Sequence, residues 1–227
     1  MIFPVGTMVN AVAIVAGSSL GIFVGSRIPE RVHRTVMHGI GLATLLIGMN
    51  MALKVQDLLL LVLSILTGAL VGEFLNLEKH LNTLANVLKK YTGSADGKFS
   101  QGLTTAFLIY CIGSLTIIGA LDEGLRNDPT LILTKSVLDG FTSIALAASY
   151  GIGVMFSALP LIIYQGTITL LAGYFQDVFT QPVIAQLTAV GGLLVLGLGL
   201  NLLEIKNIRV TNLLPALVMV FALKGFL

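Results

Sequence analysis

The stretch VIAQLTAVGGLLVLGLGLNLL, Val183 to Leu203, contains no charged residue. At 1.5 Å of rise per residue a helix of that length covers ~30 Å, the thickness of a bilayer's hydrocarbon core. A barrel strand crosses in about half as many residues and alternates apolar with polar side chains, which this run does not do. A helix satisfies its own backbone hydrogen bonds in lipid. Seven further runs of this kind flank it: Pro4 to Ser26, Thr35 to Leu53, Asp57 to Leu77, Gly102 to Leu121, Thr130 to Tyr150, Val154 to Phe175 and Val210 to Leu227. The sequence therefore predicts an all-α, polytopic transmembrane helix bundle of eight spans, a single transmembrane domain over residues 1–227. Only Gly151, Ile152 and Gly153 separate the fifth span from the sixth, and merging them would give seven and move the C terminus to the other side.

Composition agrees. Of the residues 56% are hydrophobic and 11% charged, against about 25% charged in a soluble domain, and the mean hydropathy is +0.96. A net charge of +2, with the basic residues scattered through loops, argues against nucleic acid as a partner. The single cysteine, Cys111, lies within an apolar run and supports neither an intrachain disulfide nor a cysteine-based zinc site. Met1 to Leu20 lacks a basic start and its apolar character continues through Val24, so it reads as the first span and not as a removable leader.

Loop charges set the orientation. One side receives Arg27, Arg31, Arg34, Lys79, Lys89, Lys90, Lys98, Lys206 and Arg209, and the other Lys54, Arg126, Lys135 and Lys224. Nine against four places the first group in the cytoplasm and, for an even span count, both termini outside. The longest connection, residues 78–101, is then cytoplasmic. Leu77, Leu81, Leu84 and Leu88 recur at helical spacing opposite Lys79, Asn82, Asn86 and Lys89. That pattern suits an interfacial amphipathic helix or a connector whose leucines dock on the bundle.

A faint repeat runs through the chain. Gly48 and Asn50, with the break at Lys54 and the span after it, resemble Gly199 and Asn201, the break near Lys206 and the last span; Gly6-Thr7 resembles Gly166-Thr167. If the first three spans match the last three, the partners run in opposite directions, as in the inverted three-helix repeats of many secondary transporters. Any two Leu- and Gly-rich spans also align passably.

Ionisable groups at the centre of a membrane helix cost about 2.5–3.5 kcal/mol or more, so each asks for a partner or a role. Asp139 falls ~14 Å into the fifth span, near the midplane. Lys135, Asp139 and Ser143 form one polar stripe at helical spacing. Asp139 is thus either a site for a proton, a sodium ion or a cationic substrate group, or half of a buried pair with Lys135 or Arg126. Ser114 and Thr116 in the fourth span, and Gln165 and Thr169 in the sixth, are candidate neutral ligands, although packing between helices would use the same side chains. Pro160 is positioned to kink the sixth span. Asp122 and Glu123 read as residues of the outer water boundary, or as part of an ion-binding helix break. In the first span Gly17, Gly21 and Gly25 form a small-residue face, with Asn10 two turns earlier, suited to close helix packing. His33, His38 and His80 lack the spacing of a helix-based zinc motif, so no metal or other cofactor is expected. No phosphate-binding Gly-Lys-Ser/Thr loop and no nucleophile elbow occurs, so no enzyme is expected either.

Several of these segments together, Gly6-Thr7-Met8-Val9-Asn10, Arg27-Ile28-Pro29-Glu30-Arg31, Cys111-Ile112-Gly113-Ser114 with Asp122-Glu123-Gly124-Leu125, Lys135-Ser136-Val137-Leu138-Asp139 and Phe156-Ser157-Ala158 with Gln165-Gly166, resemble the YdfK/YqgA-like family of bacterial membrane proteins. The resemblance covers nearly the whole chain and implies a polytopic plasma-membrane protein with no established activity. Where relatives carry a methionine after the cysteine region this chain has Leu115, so no role of that methionine transfers.

Two functions follow as expectations. The first is a secondary transporter or channel-like permease for a small solute or monovalent cation, with spans four to six lining a midplane cavity. The second is a non-transporting scaffold or accessory subunit whose basic loops touch lipid headgroups or a soluble partner. A wet cavity reaching Asp139 favours the first; a dry bundle with Asp139 paired to Lys135 favours the second. The glycine-rich spans also allow homo-oligomers through helix packing.

Overall fold

The computed structural model describes residues 4–25, 30–80, 83, 99–111, 114–175 and 177–224. Among them every regular element is a helix: α1 Val5–Gly25, α2 Glu30–Ala52, α3 Leu58–Leu75, α4 Phe99–Cys111, α5 Ser114–Arg126, α6 Thr130–Tyr150, α7 Ile152–Phe156, α8 Ala158–Leu170, α9 Ala172–Phe175, α10 Gln181–Leu202, α11 Val210–Leu213 and α12 Ala216–Lys224. Most of the connector at 78–101 lies outside the described residues, and with it the leucine pattern; only 78–80, 83 and 99–101 are described, the last three within α4.

Against the eight predicted spans, five helices are long and apolar enough to cross a membrane: α1, α3, α6, Ile152–Leu170 and α10. The count is six if α4 and α5, bent by 59° relative to one another, form one span. The two remaining runs are shorter for local reasons. The α2 helix begins at Glu30, so its first turns carry Arg31 and Arg34 and the apolar part is His38–Ala52. The last run is interrupted between α11 and α12, where Pro215 has no N–H to donate.

The sixth run also breaks, though not as a proline kink. The helix stops at Ser157, whose hydroxyl bonds to the Val154 carbonyl at 2.6 Å. Pro160 instead occupies the first turn of α8, where a missing N–H costs nothing. One residue, Gly151, joins α6 to α7 at φ 68° and ψ −147°, a conformation closed to residues with a side chain.

The chain folds as two compact units. One comprises residues 1–33 and 96–180, the other 34–95 and 181–227. In the first unit α1 lies along α6 in the same direction: Gly6 faces Ile132, Gly17 faces Gly140, Gly21 faces Ile144 and Gly25 faces Ala148. The α8 helix runs against α1, with Thr7 beside Gly166 and Asn10 bonded to Gln165. The chain therefore reverses at Gly151, and the fifth and sixth runs are separate. The α4–α5 pair follows the length of α6 in the opposite sense: Gly102 meets Tyr150, Tyr110 bonds to Ser143, and Gly119 meets Leu131 and Ile132.

In the second unit α2 and α10 cross antiparallel through glycines on both. Leu196 fills the space at Gly48, Leu45 the space at Gly199, Leu203 the space at Gly41, and the Met51–Ala52 backbone the space at Gly192. The α3 helix packs antiparallel to α11 and α12, Gly68 on Ala216 and Gly72 on Asn212. Side-chain amides fix the turns. Gln186 accepts from the amides of Gln56 and Asp57, both at 3.1 Å, and donates to the Asp57 carbonyl at 2.7 Å. Asn201 both donates to and accepts from the backbone of Ile208, each at 2.7 Å. Asn201→Ala removes both bonds and leaves two backbone groups open, so it is expected to lower stability by about 2 kcal/mol. Thermal melting in detergent measures this. A loss under about 0.5 kcal/mol would show that water replaces the amide at this loop.

Candidate functional site

The site grows from the α1–α6 contact. Because glycine faces let the two helices run in parallel at backbone distance, the polar side chain of Asn10 on α1 is set against the Lys135, Asp139 and Ser143 stripe of α6. Asn10 Nδ2 donates to Asp139 Oδ2 at 3.0 Å and approaches Gln165 Oε1 at 3.4 Å, tying α1 to α6 and α8 at one level. Lys135 donates to the same Asp139 oxygen, forming an i,i+4 ion pair. Lys135 and Asp139 are each 5% exposed, and Asn10 and Gln165 are fully buried.

Below the pair the stripe continues. Ser143 donates to the Asp139 carbonyl at 2.7 Å and shares a hydrogen bond of 2.7 Å with the Tyr110 hydroxyl on α4. The Lys135 ammonium also lies 5.7 Å from the centre of the Tyr110 ring, within cation–π range. The Thr116 hydroxyl donates to the Tyr110 carbonyl at 2.7 Å, so this residue braces the α4–α5 junction. Thr169 is 1% exposed and lies one turn beyond Gln165 on α8. The side chain of Ser114 falls outside the described residues.

Of the predicted residues, then, Lys135, Asp139, Ser143 and Gln165 are brought together, Thr116 is adjacent through Tyr110, and Thr169 extends the cluster along α8. Arg126, the other predicted partner of Asp139, bonds Asp122 at 3.1 Å instead. Sequence reasoning missed Asn10 as a partner of Asp139, and it missed Tyr110. The available signal was weak: an amide and a phenol, each alone in an apolar run. For Glu123 the water-boundary alternative does not hold. Asp122 marks the boundary, with its side chain 24% exposed, but Glu123 is 1% exposed and accepts the Gly6 amide at 2.6 Å.

Polar atoms here exceed their partners. Thr7 Oγ1, Asn10 Oδ1, Glu123 Oε2, Gln165 Nε2 and Thr169 Oγ1 are buried without a hydrogen bond. Buried polar groups in folded proteins are nearly always satisfied, so a cluster of open ones on facing helices asks for an occupant such as water or an ion. By contrast, a groove of about 690 Å³ is lined by apolar residues, among them Met8, Val12, Val15, Phe156, Leu159 and Ile162, and Asp139 is not part of its lining. At the end of α5 the chain meets solvent. There Asp128 accepts from the Thr130 amide at 3.0 Å just before α6, and hydrogen bonds from the Thr130 side chain and backbone hold its carboxyl below the usual range.

Residues 5–224 match the family model described as "Protein of unknown function (DUF554)". The chain is 36% identical over 229 residues to "Uncharacterized membrane protein YdfK" of Bacillus subtilis (strain 168), covering 97% of each. It is 37% identical over 226 residues to "Uncharacterized protein YqgA" of Escherichia coli (strain K12), covering 97% of this chain and 96% of that protein. No solved structure matches. With a family match over nearly all its length, and two relatives covered almost end to end, this chain belongs to the DUF554 family.

Proposed function

We propose that this chain is a secondary transporter or channel-like permease for a small solute or monovalent cation in the bacterial plasma membrane, with no catalytic role. The observation that carries the reading is the cluster of Asn10, Lys135, Asp139 and Gln165: two opposite charges and two amides from three helices, buried together and next to polar atoms that lack partners. Intramembrane charges in that setting mark ion and substrate pathways. Asp139 is the residue for the coupling cation, Lys135 its internal competitor, and Asn10, Gln165 and Ser143 supply neutral contacts.

Two features of the fold support an eight-span inverted repeat. One constant shift along the sequence carries Gly41 onto Gly192, Leu45 onto Leu196, Gly48 onto Gly199 and Asn50 onto Asn201. The contacts are reciprocal under that shift: Leu196 enters at Gly48 as Leu45 enters at Gly199. Antiparallel mates that exchange equivalent contacts are what an in-plane two-fold axis produces. Crossing parity points the same way. Parallel α1 and α6 require an odd number of crossings between them. With α3 long enough to cross and α4–α5 traversing beside α6, the short apolar part of α2 makes the third.

A specific observation favours the second reading, a scaffold: Asp139 is paired to Lys135 and almost fully buried, the arrangement expected of a dry bundle. Reconstitution separates the two. Protein in liposomes is expected to show ion-driven uptake or flux that Asp139→Asn reduces at least tenfold. Uptake unchanged by Asp139→Asn would remove that residue from the mechanism. A parent chain inactive toward all monovalent cations and small solutes tried would leave the scaffold.

A further inference from the structure

Asp139 has its counter-charge in Lys135, whereas the second buried carboxylate of the same unit has none. Glu123 uses Oε1 to accept from the Gly6 amide in the first turn of α1, and among the described residues no cationic side chain pairs with it. Its other oxygen, Oε2, is buried and open. It lies beside the bare Cα of Gly6, since a Cβ placed there would come within 3.2 Å of it. The amide explains one oxygen only.

The neighbouring side chains supply more open oxygens. Thr7 follows Gly6, is fully buried and faces Gly166 of α8. The Thr169 carbonyl touches Gly124, the residue after Glu123, which brings this part of α8 against the end of α5. Asn10, one turn along α1, has given its amide protons toward Asp139 and Gln165 and retains a free Oδ1. Thr7 Oγ1, Asn10 Oδ1, Glu123 Oε2 and Thr169 Oγ1 are thus four buried oxygens without partners, one of them from a carboxyl group, on the neighbouring helices α1, α5 and α8. Hard cations take oxygen ligands of this type, and a protein-bound calcium ion takes about six to eight of them, more than the four here.

We infer that Glu123, Thr7 and Thr169, with Asn10 at the inner edge, form a binding site for a dehydrated monovalent cation of the sodium type, separate from Asp139. On the axis of α1 the site lies about 6 Å from the level of Asn10 and Asp139, the rise from Gly6 to Asn10. Binding there does not depend on transport. It is expected of the parent chain in detergent whatever the liposome experiment returns.

The test is thermal melting and calorimetric titration of the purified full-length chain with sodium chloride, at ionic strength held constant with choline chloride. Sodium at about a hundred times its half-saturating concentration is expected to raise the melting temperature by ~5–10 °C. Glu123→Gln keeps an oxygen for the Gly6 amide but loses the charge, and abolishes the response. Thr169→Val, nearly isosteric, raises the half-saturating concentration at least tenfold, and it decides the matter alone should Glu123→Gln fail to fold. Asp122→Asn, whose carboxylate pairs with Arg126 at the partly exposed end of α5, keeps the response. A parent chain that sodium stabilises no more than choline overturns the proposal, as does a sodium response that both Glu123→Gln and Thr169→Val retain.

Discussion

Lys135→Met is expected to destabilise the protein by about 3–5 kcal/mol, because it leaves the Asp139 carboxylate buried with one amide donor and no counter-charge. The side chains of the pair are 7% exposed each, so water cannot take over the role of the ammonium in the packed state. Methionine preserves most of the aliphatic stem and removes the ammonium that lies over Tyr110, which confines the loss to the charge. The double variant Lys135→Met with Asp139→Asn removes both charges, keeps an acceptor for Asn10 Nδ2, and is expected to regain most of the stability. A double-mutant cycle over unfolding in detergent isolates the coupling. If Lys135→Met alone costs under about 1 kcal/mol, water reaches Asp139. That outcome would argue for the permease and against the dry scaffold.

What was legible in the sequence was legible because it was local. The Lys135–Asp139 pair and the Ser143 continuation follow from a four-residue spacing on one helix, and helices themselves follow from apolar runs that must satisfy their backbones in lipid. Partners on other helices were not readable. Asn10 reaches Asp139 across 129 residues only because α1 lies parallel to α6 in one register, which no property of Asn10 encodes. The choice between boundary and buried role at Glu123 stayed open for a physical reason. An acidic pair near a helix end has the same composition whether it meets water or caps another helix, and here Asp122 does the first and Glu123 the second. Helix ends were blurred likewise: α2 extends into a basic, polar stretch, and α8 takes Pro160 into its first turn. Small residues announced close packing in α1 but could not name the helix that packs there.

Gly17→Ala provides the sharpest test of that packing. A methyl group on Gly17 would collide with the Gly140 carbonyl and come within 3.1 Å of the Ser143 Cβ. The same relation recurs one turn on, where Gly21 meets the Ile144 carbonyl, so α1 and α6 cannot separate at one level without losing the next. Backbone is met, not a movable side chain, and the expected loss is about 3 kcal/mol or more. Gly39→Ala is the matched control. Nothing lies within 4 Å of a Cβ at Gly39 of α2, so the same substitution is expected to stabilise by about 0.5–1 kcal/mol through helix propensity. Unfolding titrations of both variants in one detergent should thus move in opposite directions. Gly17→Ala should also weaken any ion-dependent signal that relies on Asn10, since pushing α1 outward draws its amide from Asp139. A Gly17→Ala protein as stable as the parent would mean that the two helices stand further apart, and the Asn10–Asp139 bond would go with their contact.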